Sequence, residues 1–240
     1  MTGPLSGSSA SAPPRLGLLL PALNEEPGLA KVLDELPRSL FAQIVVADNG
    51  SSDGTAAVAR ARGAEVVHEP RRGYGRACLA GLAALQPGID IVVFMDADAS
   101  DVPAEAPQLL EPLLRDEADL VIGSRRLGRA EPKAMGWHQR AGNRLAVGLI
   151  RLLYGFRYTD LGPFRAIRRA SLEQLAMRDP DFGWTAEMQV KALKRGLRVR
   201  EVPVSYRVRV GQSKISGTVT GTLKAGVKIV WTILRLRFTG

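Results

Sequence analysis

The stretch that most constrains this chain reads Ile91-Val-Val-Phe-Met-Asp96-Ala-Asp98. Five consecutive apolar residues, rich in β-branched and aromatic types, predict a strand buried on both faces, as in the middle of a parallel sheet. Such a strand does not normally end in two carboxylates, because unpaired charge is costly to bury. Asp96 and Asp98 therefore fall where the strand leaves the sheet. Two hard oxygen donors there suit Mg²⁺ or Mn²⁺ held together with phosphates. A solvated turn, which Asp also favours, would use the same residues.

The flanking sequence builds a sheet around that strand. Residues 16–20 predict a first strand stopped by Pro21, and residues 28–40 a helix. Strands follow at 44–47, 65–68 and 119–123, with helices at 55–62, 75–85 and 104–114. Strands alternating with helices indicate an α/β fold with a mostly parallel central sheet and helices on both faces. In such sheets ligands bind beyond the strand C-termini. The polar loops after residues 20, 47 and 95 would all open on that side.

The second half is less regular. Residues 137–154 predict a helix with Arg140, Arg144 and Arg151 within about 40° of one another. Residues 158–167 read as a loop or short strand, 185–194 as a helix, and 197–208 as a strand pair with Pro203 between. A last helix, 218–238, carries Lys224, Lys228 and Arg235 on one stripe. Its longest apolar run, Ile229 to Leu234, is six residues even counting Thr232 within it, too short to cross a bilayer. Such a helix would lie in an interface with Val227, Trp231 and Leu234 toward acyl chains. Packing on its own domain, or on a second copy in a homodimer, is the alternative. The expected organisation is a disordered tail (1–14), one domain (15–217) and this amphipathic helix (218–240).

Charge narrows the partners. Lys and Arg total 33 against 24 acidic residues, a net charge of +9. That favours a polyanion: nucleic acid, an anionic membrane surface or a phosphorylated small molecule. The single cysteine, Cys78, rules out an intramolecular disulfide, and His68 and His138 are too few for a histidine metal site. Neither a signal peptide nor a spanning segment is legible, so the expected location is cytoplasmic, or peripheral on the cytoplasmic face of a membrane.

Three loops then need one explanation: Pro21-x-x-Asn24-Glu25, Asp48-x-x-Ser51-x-Asp53-Gly54-Thr55 and Asp96-x-Asp98. Together and in this order they resemble the family 2 glycosyltransferases of the GT-A fold, especially the polyprenyl-phosphate, dolichol-phosphate mannose synthase-like branch, over residues 16–217. The resemblance implies that Pro21, Leu23, Glu25, Asp48, Arg71 and Asp96 bind a UDP- or GDP-linked sugar. Asp48 would accept from the N–H edge of the base. Gly54 would supply a left-handed turn, and Gly73 and Gly75 would let the backbone approach the nucleotide. Asp96 and Asp98 match the metal-binding pair, with Asp98 the stronger ligand; the branch usually has glutamine where this chain has Ser100.

The resemblance further implies that Ser124, Arg125 and Arg140 bind the acceptor phosphate, against the alternatives of a surface salt bridge for Arg125 and a solvated helix face for Arg140. Asp160-Leu-Gly-Pro-Phe-Arg165 imperfectly matches a family segment. Arg209 with Ser213 and Lys214 matches a signature closing over diphosphate and acceptor. Glu187 stands where related enzymes carry a catalytic base; for a phosphate acceptor, a dianion near neutral pH, it would be structural. The expectation is a metal-dependent inverting transfer from a nucleotide-diphosphate sugar to a polyprenyl phosphate, with a soluble phosphorylated or hydroxyl acceptor as the close rival. A nucleotidyltransferase would open with a Gly-rich basic loop after the first strand, which residues 21–26 lack. A charge-driven binder of nucleic acid or membrane leaves the three loops unexplained.

Overall fold

The computed structural model describes residues 12–211 and 219–238. The chain runs β1 (Leu16–Ala22), α1 (Glu26–Glu35), β2 (Gln43–Asp48), α2 (Thr55–Ala61), β3 (Glu65–His68), α3 (Tyr74–Ala84), β4 (Ile91–Phe94) and α4 (Ala106–Leu114). It continues with β5 (Leu120–Ser124), α5 (Trp137–Tyr154), β6 (Arg165–Arg168), α6 (Arg169–Leu175), α7 (Trp184–Lys194), β7 (Val199–Pro203) and α8 (Val219–Phe238). The sheet order is β3-β2-β1-β4-β6-β5-β7. Every neighbouring pair is parallel except where β6 lies antiparallel to both β4 and β5. The C-terminal ends of β1, β2, β4 and β5 therefore share one edge.

Alternate side chains of the inner strands feed two cores. Leu18, Leu20, Val46 and Val93 pack against α1, α2 and α4. Leu19, Val45, Val92 and Phe94 pack against α3 and α5 to α8. A fully buried aliphatic or aromatic side chain contributes about 1.5–3 kcal/mol, so these central strands hold the strand ends rigidly.

Prolines account for several departures from the sequence reading. β1 continues through Pro21 to Ala22, because the pairing with β4 ends at Leu19 and a missing N–H is tolerated on a stretch paired along one edge. Pro37 ends the helix expected over 28–40: α1 stops at Glu35 and a 3₁₀ turn, Arg38–Leu40, follows. The expected strand pair over 197–208 is one strand, β7, ending at Pro203, after which Tyr206 makes only isolated bridges to Asp101 and Ala130. β6, in the stretch read as a loop or short strand, is inserted between β4 and β5.

The last helix is not an appendage. Thr232, Ile233 and Leu236 are buried, and Tyr154 Oη donates to the Ile233 carbonyl at 2.9 Å. Its opposite face exposes Val227, Trp231, Leu234 and Phe238. Among the described residues no helix is long and apolar enough to cross a membrane.

Candidate active site at the C-terminal edge of the sheet

The loops after β1 and β2 are joined by side chain-to-backbone hydrogen bonds. Asn24, in the left-handed region at φ 52°, donates from its N–H to Ser51 Oγ at 2.9 Å, and its Oδ1 accepts from Ser52 N at 2.7 Å. Glu25 N donates to Thr55 Oγ1 at 2.9 Å, and Gly54 N to Glu26 Oε2 at 2.8 Å. Gly54 does not make the expected left-handed turn, since its φ is −76°. It is glycine-sized for a different reason: a Cβ there would come within 2.7 Å of the Glu26 carboxylate. Gly28 likewise lets α1 press on the Asp96–Asp98 segment, where a Cβ would lie 2.8 Å from the Ala97 carbonyl.

Asp48, at the end of β2, is buried, with Ser51 N donating to Oδ1 at 3.0 Å and His68 Nδ1 lying 3.1 Å from Oδ2. Burial alone would raise its pKa, but the Ser51 hydrogen bonds and His68 outweigh it and hold the carboxyl below its usual range. Pro21 and Glu25 are buried and Leu23 is half-buried in the adjoining loop. Arg71 is exposed, and its guanidinium pairs with Glu69 at 3.0 and 3.1 Å. Arg71 holds the Glu69 carboxyl down at about 2. Gly73 and Gly75 serve protein packing: Cβ atoms there would lie 2.2 Å from the Pro180 carbonyl and 1.9 Å from the Asp179 carbonyl. The close approach expected with a nucleotide is made with the 179–180 backbone.

Asp96 and Asp98 face one another's charge just beyond β4. Asp98 is buried, and its Oδ1 accepts from Ser100 N at 2.9 Å and Ser100 Oγ at 2.5 Å. Ser100 thus holds one oxygen of the second carboxylate. Asp96 Oδ1 accepts from Tyr74 Oη at 3.1 Å. Burial and the neighbouring Asp98 raise the Asp96 carboxyl to about 6. Asp101 lies beneath them, fully buried, with Oδ2 accepting from Asp96 N at 3.3 Å; burial, Asp96 and Asp98 push its pKa well up. Two carboxylates this close together suit a divalent cation, which offsets their mutual repulsion. Among the described residues no cluster of three His, Cys, Asp or Glu forms a complete cage. The pair therefore fits a cation that takes its other ligands from phosphate and water.

Arg209 closes this edge. Its guanidinium lies 2.6 Å from Glu25 Oε1 and 3.4 Å from Asp98 Oδ2, joining the first and third loops. Backbone bonds from Arg207 N to Ser100 O and Val210 N to Asp98 O, both 2.8 Å, lay this segment along the Asp96–Asp98 loop. Ser213 and Lys214 lie outside the described residues.

On the β5 side, Arg125 is no surface salt bridge. Its guanidinium grips Asp160 through Nε to Oδ2 and Nη2 to Oδ1, each 2.7 Å, and lies 5.0 Å from the centre of the Tyr206 ring. Ser124 is buried with Oγ 2.6 Å from Thr159 Oγ1. Arg165 is buried and donates to the Leu161, Gly162 and Thr185 carbonyls, an architectural role. Arg140, Arg144 and Arg151 are exposed on α5, a helix fixed to this corner by Asn143, which accepts from Leu161 N and donates to Thr159 O.

Glu187 stands apart. It is 1% exposed; its oxygens accept from Arg178 N and Asp179 N, and Lys191 Nζ lies 2.8 Å away. A carboxylate engaged on this scale is a brace for the 178–179 turn, poorly placed to take a proton from an acceptor. Sequence reasoning missed Tyr74, Asn49, Asp160 as the Arg125 partner, and His68 beside Asp48. Asn49 holds the loop after β3 by donating to the Glu69 and Arg71 carbonyls and accepting from Gly73 N. Its position directly after Asp48 was the available signal; nothing local marks the other three.

The geometry agrees with comparisons to known proteins. A model described as glycosyl transferase family 2 matches residues 18–176. The chain belongs to glycosyltransferase family 2. An uncharacterised glycosyltransferase of Mycobacterium tuberculosis (strain ATCC 25618 / H37Rv) is 40% identical, aligned over 87% of this chain and 93% of that protein. An undecaprenyl-phosphate mannosyltransferase of Micrococcus luteus is 32% identical over 93% of this chain and 98% of its own length. Among solved structures, glucosyl-3-phosphoglycerate synthase from M. tuberculosis, in complex with Mn²⁺, UDP and phosphoglyceric acid, superposes with a TM-score of 0.78 at 25% identity, covering 95% of this chain and 80% of that one. This family 2 enzyme therefore has the GT-A fold, resembles the polyprenyl-phosphate branch and is a hexosyltransferase that uses a nucleotide sugar.

Proposed function

We propose that the enzyme transfers a hexose, with inversion, from a UDP-sugar to the phosphate of a polyprenyl phosphate at a membrane surface. The observation that carries the acceptor is the face shared by α5 and α8. Trp137, Leu145 and Leu152 on α5 stand exposed, as do Val227, Trp231, Leu234 and Phe238 on α8. Arg140, Arg144, Arg151, Lys224, Arg235 and Arg237 are exposed on the same two helices, and neither helix contains an acidic residue. Exposed tryptophan beside cations suits the boundary between anionic headgroups and acyl chains. Lys228, assigned to that cationic stripe from sequence, instead pairs with buried Asp179 at 3.1 Å. The likeness to the undecaprenyl-phosphate mannosyltransferase of M. luteus supports the same reading.

In this reading Asp48 receives the base, and Arg209 bridges the nucleotide loop to Asp98. Asp96 and Asp98 would hold Mn²⁺ or Mg²⁺, which when bound neutralises the charge growing on the departing diphosphate. Arg125 stays on Asp160 and shapes the acceptor corner, while Arg140 offers a free fork to the acceptor phosphate. The phosphate oxygen attacks the anomeric carbon in line, and positioning supplies much of the rate. A phosphate dianion needs no base, which agrees with the engaged Glu187.

A soluble phosphorylated acceptor is the second reading, favoured by the likeness to glucosyl-3-phosphoglycerate synthase. Transfer of labelled hexose from UDP-hexoses to undecaprenyl phosphate in anionic vesicles, set against 3-phosphoglycerate in solution, separates them. Product in the lipid phase supports the proposal; product only in the aqueous phase overturns it.

A further inference from the structure

Tyr74 lies between Gly73 and Gly75, and the family resemblance gives it no role of its own, yet its hydroxyl reaches Asp96. The bond from Tyr74 Oη to Asp96 Oδ1 is 3.1 Å, and Oδ2 has no hydrogen-bond partner among the described residues. The second carboxylate is treated in the same way. Ser100 N and Oγ occupy Asp98 Oδ1, and Asp98 Oδ2 faces Arg209. Each acid thus has one oxygen held by a protein hydroxyl and the other directed elsewhere. Outer donors of this kind orient metal-binding carboxylates.

The tyrosine itself is firmly seated. It opens α3 between Gly73 and Gly75, whose missing Cβ atoms admit the Pro180 and Asp179 carbonyls. Arg76 N donates to Pro180 O at 3.0 Å, and Gly73 N to Asn49 Oδ1 at 2.8 Å. The 179–181 strap is anchored in turn: Asp179 accepts from Asp181 N at 2.9 Å and Thr232 Oγ1 at 3.2 Å, with Lys228 Nζ 3.1 Å away, and Glu187 accepts from Arg178 N and Asp179 N. This explains why a buried carboxylate on α7 and a lysine on α8 meet at a turn far from the sheet edge.

We propose that Tyr74 is a positioning residue for Asp96, and that the strap over Gly73 and Gly75 holds its hydroxyl in place so that Asp96 Oδ2 is aimed at the cation. The inference rests on the proposed metal-binding role of Asp96 and Asp98. The test titrates Mn²⁺ against the full chain at saturating UDP, reading bound Mn²⁺ by electron paramagnetic resonance. Tyr74→Phe keeps the ring and removes only the donor. It should weaken Mn²⁺ about 10-fold, within the range typical of outer-shell partners, with the melting temperature unchanged. Thr232→Val, which loosens the strap from α8, should weaken it less, and the double variant little more than Tyr74→Phe alone. Unchanged Mn²⁺ affinity in Tyr74→Phe, alongside its loss in Asp98→Asn, overturns the inference and leaves the metal site standing. If the unaltered protein takes up no Mn²⁺ with UDP, the underlying reading fails instead.

Discussion

The donor corner and the α5–α8 face are built on opposite plans. At the donor corner, Asn24, Asn49, Ser51 and Thr55 spend their side chains on backbone groups of neighbouring loops, and Ser100 holds the Asp98 carboxylate through its N–H and hydroxyl. Glycines at 28, 73 and 75 admit backbone to van der Waals limits. On the α5–α8 face, Trp137 is 81% exposed, Leu152 80% and Phe238 86%, and the cations Arg140, Arg144 and Arg151 have no side-chain partner among the described residues. A donor site must hold a cation and a diphosphate in fixed geometry, so it is preorganised. If the α5–α8 face meets a membrane, as proposed, it needs only composition: apolar stripe, aromatic belt, positive charge.

The largest effect that sharpens this contrast should come from the buried pair between the two regions. Arg125→Ala leaves Asp160 buried without its cation and should cost about 3–5 kcal/mol of stability, read as a lowered midpoint in urea unfolding. A loss under 1 kcal/mol would mean that the pair is not buried in solution. Gly75→Ala forces a Cβ against the Asp179 carbonyl and should destabilise by about 1–3 kcal/mol, with weaker UDP binding. Unchanged melting would break the claim that the donor corner is tightly packed.

Changes on the open face should behave differently. Trp231→Ala should weaken flotation with phosphatidylglycerol vesicles about tenfold and leave the melting temperature within a degree or so of its starting value. If it unfolds the protein instead, that face is core and the comparison collapses. The smallest effect concerns pH. The Asp96 carboxyl is raised, so the folded state holds a proton that the unfolded chain has released, and its contribution to stability falls as pH rises from about 4 through about 6. Differential scanning calorimetry should show Asp96→Asn reducing that slope in metal-free buffer, with buried Asp101 supplying the rest, and Mn²⁺ with UDP should restore stability to the unaltered protein above pH 6.

The same contrast explains what the sequence could reveal. The sheet was legible because buried strands such as Ile91–Phe94 read as apolar runs bounded by turns, and the three acidic loops fell at their ends by position alone. β6 was not, because Arg165-Ala-Ile-Arg168 pairs antiparallel between distant strands and shows no alternation of its own. Asp48, Asp96 and Asp98 were legible as loop carboxylates. Tyr74 and the Asp160 partner of Arg125 were not, since each acts across more than 20 residues of chain on a contact that no local pattern encodes. The resemblance leaves Glu187 open as a base or a structural residue, and its partners at Arg178 and Asp179 come from a turn that only the fold brings near.

The most direct measurement is isothermal titration of UDP into the unaltered chain and into an Asp96→Asn/Asp98→Asn variant, with and without Mn²⁺. Uptake that requires Mn²⁺ in the unaltered chain and vanishes in the variant is the predicted result. Equal UDP binding by both proteins, with or without Mn²⁺, would contradict a diphosphate held through these two carboxylates.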